Sequence, residues 1–444
     1  MPITRRRFLH WAGAASLGFL GLRHMTGCGF DPESVYGPLV SDPKGVMDLP
    51  KGFSYAMFSE TGTEMSDGLL VPGAHDGMAA FPGQNGQTIV MRNHEQNPTA
   101  VEASPFGERS ELLDKVDASR IYDGGFGKRP NLGGVTKFVY DTRAEKLISE
   151  ELVLVGTKRN CAGGRMPWGS WITCEEDTQT ADEGYEKAHG YNFEIPANWT
   201  GGLIEPIPLK AMGRFYHEAV AADPETGIIY QTEDQEDGLF YRFLPRVKGK
   251  LAEGGKLQAL KVRGMPSAHL QNWYVTAAEV GQKMDVEWID LEDIDPKEDN
   301  LRGRGHLEGA AQFTRGEGIW RGNGVFYFAC TNGGPTGKGQ IWEYNPKTET
   351  LRLFVEPSET DICESADNLT VSPWGDLIVC EDRAEARLIG VTPKGELYLF
   401  GHNVMNDSEL AGVCFSPDGT TMFVNIQHPG MTLAITGPWK NGPV

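Results

Sequence analysis

The chain has 444 residues, with 41 Lys and Arg against 61 Asp and Glu, a formal net charge of −20, and 56 Gly with 27 Pro. So acidic a surface is a poor partner for nucleic acid or anionic lipid and a good one for divalent cations. The length suits a repeat or barrel architecture, the Gly and Pro content supplies the turns an all-β chain needs, and beyond the N-terminus no apolar run is long enough to span a membrane.

Residues 1–28 are unlike the rest. A cationic head, Thr4 to Leu9 with Arg5, Arg6 and Arg7, precedes a modestly apolar stretch from Trp11 to Leu22. This is the layout of a twin-arginine export signal, which engages the twin-arginine machinery and carries proteins already folded, so metals can be taken up first. Met25 to Cys28 forms a loose lipoprotein box. The expected location is therefore periplasmic or extracellular, with membrane attachment only if Cys28 is lipidated. Removing the signal's four arginines leaves 37 basic against 61 acidic residues, a net charge of −24. The seven Cys, at 28, 161, 174, 330, 363, 380 and 414, lack CxxC spacing, which excludes a zinc-finger or thioredoxin-like reading.

Next along the chain comes a repeated unit: a polar or acidic start, an apolar stretch, a turn of Pro, Gly, Asp or Asn, and a second apolar stretch. It recurs at 160–176, 217–234, 317–332, 367–382 and 411–425, with a looser copy at 75–95. Each copy reads as a β-hairpin, and several are followed by a further strand pair, as at 340–354 and 387–400. Four strands per unit make a blade, so the expected fold is all-β, a six-bladed β-propeller forming a single domain over 29–444. Insertions at 97–130, 178–213 and 245–315 are expected to lie on one face as lids or walls. A two-sheet sandwich is the alternative fold.

In a propeller, the start of each first strand and the end of each second strand meet at one mouth of the channel. This gathers Asp76 with Glu95, Asn160 with Cys174, Glu175 and Glu176, Glu218 with Glu233, Glu317 with Asn332, and Asp367 and Asn368 with Glu381. So many acids cannot all ionise in a partly buried cleft without countercharge, and bound metal is the natural answer. Carboxylate and amide oxygens suit Ca²⁺, and a thiolate beside them suits iron. A single acid is more often a solvated loop residue or an Arg partner; the recurrence at equivalent positions reverses that balance. His94 and His217 each precede one of the acids, so alternation turns them away from the metals. Arg315, two residues before Glu317, offers an anion-binding fork beside a ligand. Trp168 and Trp374 are read as packing between blades.

At these motifs the chain resembles the PhoX family of bacterial alkaline phosphatases. The matching stretches are 75–83 (HDGMAAFPG), 92–95 (RNHE), 160–164 (NCAGG), 167–176 (PWGSWITCEE) and 213–220 (GRFYHEAV). Further on come 315–318 (RGEG), 367–373 (DNLTVSP), 380–382 (CED), 415–419 (FSPDG) and 435–439 (ITGPW). The resemblance runs from about residue 70 to the C-terminus. It implies a six-bladed propeller holding Fe³⁺ and Ca²⁺ and acting on phosphate esters. By the same resemblance Cys174 is an iron ligand, Glu95, Glu218 and Glu317 are iron or calcium ligands, and Arg315 contacts the substrate phosphate. Glu175, Glu176, Glu233, Asp367, Asn368 and Glu381 are further candidate ligands. The family pairs its phosphate-binding Arg with a Lys whose position these motifs do not mark in this sequence, and Arg165 is the candidate substitute.

The chemistry that follows is hydrolysis of small-molecule phosphate esters by a monomer. A cleft of carboxylates repels a phosphomonoester dianion unless bound cations reverse the local field, and Arg315 adds a charge-assisted contact during transfer. No Walker loop or GxSxG motif is present. The competing readings are a calcium-dependent propeller lactonase, which has no need of a cysteine among its acids, and a non-enzymatic exported propeller, which has no need of the acids at all.

Overall fold

The computed structural model describes residues 35–182 and 184–439; the export signal at 1–28, with Cys28, lies outside them. Among the described residues strands dominate, with one short α-helix, Leu301–Leu307, and several single 3₁₀ turns. Among the described residues no helix is long and apolar enough to cross a membrane.

All six sequence repeats form the antiparallel hairpins expected of them. The first strands are His75–Pro82, Asn160–Arg165, His217–Ala222, Gly316–Gly322, Ala366–Val371 and Leu410–Phe415. Each packs against the next and the last returns to the first, so they make a closed ring around an axis. Blades I to VI grow outward from these inner strands. Hydrogen bonding divides the strands into five sheets rather than six, because the outer edges of blades III and IV join where Lys283–Asp290 pairs with Thr350–Val355. Blade VI is completed from the other end of the chain, by Ser54–Phe58 alongside Met431–Thr436. Blade V gains Met47–Pro50 in the same way.

Strands inside such a stack are covered on both faces, so they read as continuous apolar runs: in Val325–Cys330 every residue is buried. Aromatic rings fill the wedges between blades, as where Tyr230 meets Phe326 at 4.5 Å and Phe240 stacks on Phe328 at 4.4 Å. Trp374 stacks on Trp439 between blades V and VI, at 5.4 Å.

The insertions depart from the expectation of simple lids. Residues 178–213 contain the third strand of blade II, Asn192–Pro196. Residues 245–315 contain Gly255–Val262 and Lys283–Asp290, the outer strands of blade III. Leu257, Ala259, Leu260 and Val262 bury themselves against the blade, which is why this stretch pairs instead of looping.

Candidate metal centre

Each inner hairpin carries a β-bulge at the same place. In blade I the register moves from His75–His94 to Met78–Arg92, three residues against two, and the same shift follows Asn160, His217, Gly316, Ala366 and Ala411. A bulge leaves one residue without a ladder partner and re-aims it. The second residue of each bulge is Asp76, Cys161, Glu218, Glu317, Asp367 and, in blade VI, Gly412. Five blades thus present a carboxylate or a thiol at equivalent positions. The sixth cannot: a Cβ on Gly412, whose φ is +68°, would meet the main-chain oxygen of Asp76 at 2.3 Å.

Two triads converge. Ligand atoms of Cys161, Glu176 and Glu218 lie within 4.8 Å of one another, as do those of Glu218, Glu317 and Asp367, so Glu218 belongs to both. Glu218 has no ion-pair partner among the described residues. Burial, then Glu317 and Glu176, hold its carboxyl well above the usual range. Burial followed by a neighbouring acid does the same to Glu176, Glu317 and Asp367. Asp76 is pushed up to about 8 by burial and Glu95, and Glu409 to about 10 by burial and Asp382. Burial and the nearby acids also hold the Cys161 thiol far above its ordinary value. Acids crowded to this degree stay neutral unless a cation joins them.

Two guanidiniums stand beside the acids. Arg159 and Arg315 each immediately precede an inner strand and hold the left-handed backbone, with φ of 48° and 43°. Non-glycine residues seldom adopt it, and where they do the strain clusters at functional sites. Arg159 donates to Glu95 from Nε at 3.0 Å and Nη2 at 2.9 Å, and pairs with Glu176. Arg315 donates from Nε to Asp234 at 2.9 Å and from Nη2 to Glu317 at 2.9 Å, with Asp382 at 3.7 Å. Burial alone would lower both pKa values, but Glu176 and Glu95 on one side, and Glu317 and Asp234 on the other, raise them.

Not every residue assigned to this mouth from sequence reaches it. Glu95, Glu176, Glu218, Glu317, Asp367 and Arg315 do. Asn368 is buried one step on, its Cα 2.9 Å from where a Cβ on Gly318 would sit. Cys174 is instead buried in an apolar cluster with Ile172, Val220 and Tyr241 and belongs to neither of the two triads. Glu175, Glu233 and Glu381 end their strands one residue short of the axis-facing position, and each closes a loop. Glu175 accepts from the main-chain N–H of Lys158, Gly190 and Tyr191 and holds His189 at 2.6 Å. Glu233 accepts from Leu239 N–H at 3.1 Å and Tyr241 Oη–H at 2.7 Å. Glu381 accepts from Glu364 N–H and grips Arg387. Arg165 ends the inner strand of blade II at the far mouth, over the ring of Phe81 at 5.3 Å, so it is not a second phosphate-binding cation at this mouth. Arg159, not Arg165, is the arginine of blade II that stands among these acids.

Sequence reasoning missed Cys161, Arg159, Asp234, Asp382 and Glu409 as site residues. The signal for Cys161 was present: aligning the six hairpins puts it in the column of Glu218 and Glu317. His94 and His217 face away, as alternation requires, bonded to Thr136 Oγ1 and the Gly213 carbonyl. Burial lowers both pKa values, keeping the rings neutral.

The family model described as alkaline phosphatase PhoX matches residues 34–430. The chain belongs to the PhoX family of alkaline phosphatases. Among solved structures it is similar to Pseudomonas fluorescens PhoX in complex with vanadate, a transition-state analogue. That match has 18% identity over 88% of this chain and 96% of that one, with a TM-score of 0.66. A gluconolactonase from Xanthomonas campestris (13% identity, 93% and 100% coverage, TM-score 0.41) and the periplasmic gluconolactonase of Pseudomonas aeruginosa (14%, 84% and 89%, 0.39) are more distant. No curated protein sequence matches the chain. As a PhoX-family β-propeller the chain is a metal-dependent phosphatase, a hydrolase of phosphate esters.

Proposed function

We propose that this phosphatase holds iron and calcium in the two triads that share Glu218 and hydrolyses phosphomonoesters between them and a pair of arginines. The observation that carries the reading is the convergence of Cys161, Glu176, Glu218, Glu317 and Asp367 in one buried cluster. The donor set fits: a thiol with two carboxylates suits iron, and three carboxylates suit a hard cation such as Ca²⁺ or Fe³⁺. Glu95, Asp76, Asp382 and Glu409 add oxygen donors at the rim. Bound cations supply the countercharge and Lewis acidity that let a phosphate dianion approach this cleft.

The chain's own residues do the rest. Arg159 and Arg315 stay protonated at any working pH and present guanidinium forks, which match the oxygens of a phosphoryl group. Each is tethered to one acid of the cluster, Glu176 or Glu317, so the anion grip and the metal ligands are positioned as one unit. The twin-arginine signal over 1–28, a single catalytic domain over 29–444, residence outside the cytoplasm and a monomeric state complete the proposal.

The test is metal analysis with activity. Protein recovered after native export is expected to contain iron and calcium and to hydrolyse a phosphomonoester but not a lactone. Chelation should abolish the rate, and restoring both metals should return it. Full activity in demonstrably iron-free protein would contradict the mixed-metal assignment.

A further inference from the structure

We propose that the loop spanning residues 269–277 forms the subsite for the organic part of the phosphate ester and favours an aromatic or apolar group. The inference rests on the reading of Arg315 as the phosphate grip. The loop lies across the mouth-facing edge of blade IV. Asn272 Nδ2 donates to Glu356 Oε2 at 2.8 Å, just beyond the blade's outer strand, and Gln340 Nε2 at the start of its third strand donates to the Leu270 carbonyl at 3.2 Å.

At its inner end the loop is bonded to the segments that hold Arg315. The Trp273 indole N–H donates to the Asn332 carbonyl at 2.7 Å, and the side chain of Asn332 accepts from Thr314 Oγ1 at 2.6 Å. Thr331 N–H donates to the Arg315 carbonyl at 3.1 Å. On the other flank Gln271 reaches the Glu236 carbonyl at 3.5 Å, while the neighbouring Gln235 carbonyl accepts from Arg315 N–H at 2.8 Å.

Within the loop is an open cavity of about 420 Å³ lined by Trp273, Tyr274, Val275 and Ala277, with His269, Gln271 and Asn272 beside them. That volume takes a ring-sized group. The indole N–H is already bonded, which leaves the faces of Trp273 as its contact surface. Tyr274 is 96% exposed and Val275 77% exposed, an arrangement that costs free energy in water unless something apolar covers it. The loop does not collapse, because Asn272 pins it internally, accepting from Ala277 N–H at 2.8 Å and donating to the Ala278 carbonyl at 2.7 Å. An ester whose phosphoryl group is held at Arg315 and whose alcohol part points toward blade IV would lay that part against this loop, which is bonded to the segments on both sides of Arg315.

The test uses metal-loaded, exported protein and two esters, phenyl phosphate and glycerol 3-phosphate. Tyr274→Ser, alone and with Val275→Ser, changes only exposed side chains and leaves folding intact. KM for phenyl phosphate should rise about tenfold in the double variant with kcat within twofold, because uniform binding has been removed. KM for glycerol 3-phosphate and inhibition by inorganic phosphate should not move. Equal shifts on both esters, or no shift on either, would overturn the subsite. So would a loss of self-association or of vesicle binding in the variant with both KM values intact, since the loop would then be a docking surface. If the parent hydrolyses neither ester, the phosphatase reading is what fails, and phenylphosphonate against methylphosphonate binding still reads the pocket. Tighter phenylphosphonate binding that Tyr274→Ser removes supports the subsite, and equal binding of the two contradicts it.

Discussion

Arg159 and Arg315 hold left-handed backbone at matching points of blades II and IV, the first anchored by two acids and the second by three. If both grip phosphate, Arg159→Ala and Arg315→Ala should each lose roughly two to three decades in kcat/KM, about 2–4 kcal/mol of transition-state stabilisation, while keeping their metals. Lys at either position should recover little, because an ammonium cannot form the two-pronged contact. Metal loss in Arg315→Ala would make that residue a structural countercharge instead. A second residue-level effect concerns His189, fully buried between Glu175 and Asp123. Burial would lower its pKa, but the two acids win and push it up to about 9, against an ordinary value of 6.5. The unfolded chain therefore releases this proton first. The stability it lends is complete below about pH 6.5 and is lost as pH rises to about 9, at most about 3 kcal/mol. Melting temperature measured from pH 6.5 to 9 should fall more steeply in the parent than in His189→Gln. Parallel curves would mean His189 is neutral throughout.

The unit that positions the site is the bulged hairpin, and it works only because neighbouring inner strands come very close. A Cβ on Gly77 would lie 2.7 Å from the Ala162 Cα, and one on Gly318 would lie 2.8 Å from the Asp367 carbonyl. Gly77→Ala or Gly318→Ala should therefore push a blade outward, costing about 1–3 kcal/mol and displacing Cys161 or Asp367 from the cluster. Gly303, in the short helix with open space around it, is the control: Gly303→Ala should be neutral or stabilise by up to about 1 kcal/mol and leave the rate unchanged. Loss of activity in Gly303→Ala with none in Gly318→Ala would contradict this picture. The hairpins themselves were legible in the sequence because their turns and apolar runs are local signals. The bulges were not, since an extra residue in an antiparallel pair leaves no mark in hydropathy. Without them, Cys174, Glu175, Glu233 and Glu381 look like mouth residues, yet a one-residue difference in register turns them into core or loop-closing groups. Arg159 was missed for the same reason: its aim comes from a positive φ just before the strand.

Across the whole molecule, six blades are locked by segments far apart in sequence. Ser54–Phe58 completes blade VI and Met47–Pro50 extends blade V, so the N-terminal stretch clasps the ring at its closing point. A protein lacking residues 29–58 should melt lower by about 10 °C or more, or fail to fold, since blade VI would keep three strands and an open edge. An unchanged melting temperature would show that the ring closes without it. Such closure matters because blades II to V must each deliver a second bulge residue, and blade II Glu176 as well, to one axis before the two triads exist. The most direct test of that claim compares iron and calcium per chain, with phosphomonoesterase rate, in exported Cys161→Ala and Cys174→Ala proteins. The account predicts that Cys161→Ala loses iron and activity while staying folded, and that Cys174→Ala keeps both and loses only about 1 kcal/mol of core packing. Metal and rate retained in Cys161→Ala but lost in a folded Cys174→Ala would contradict it.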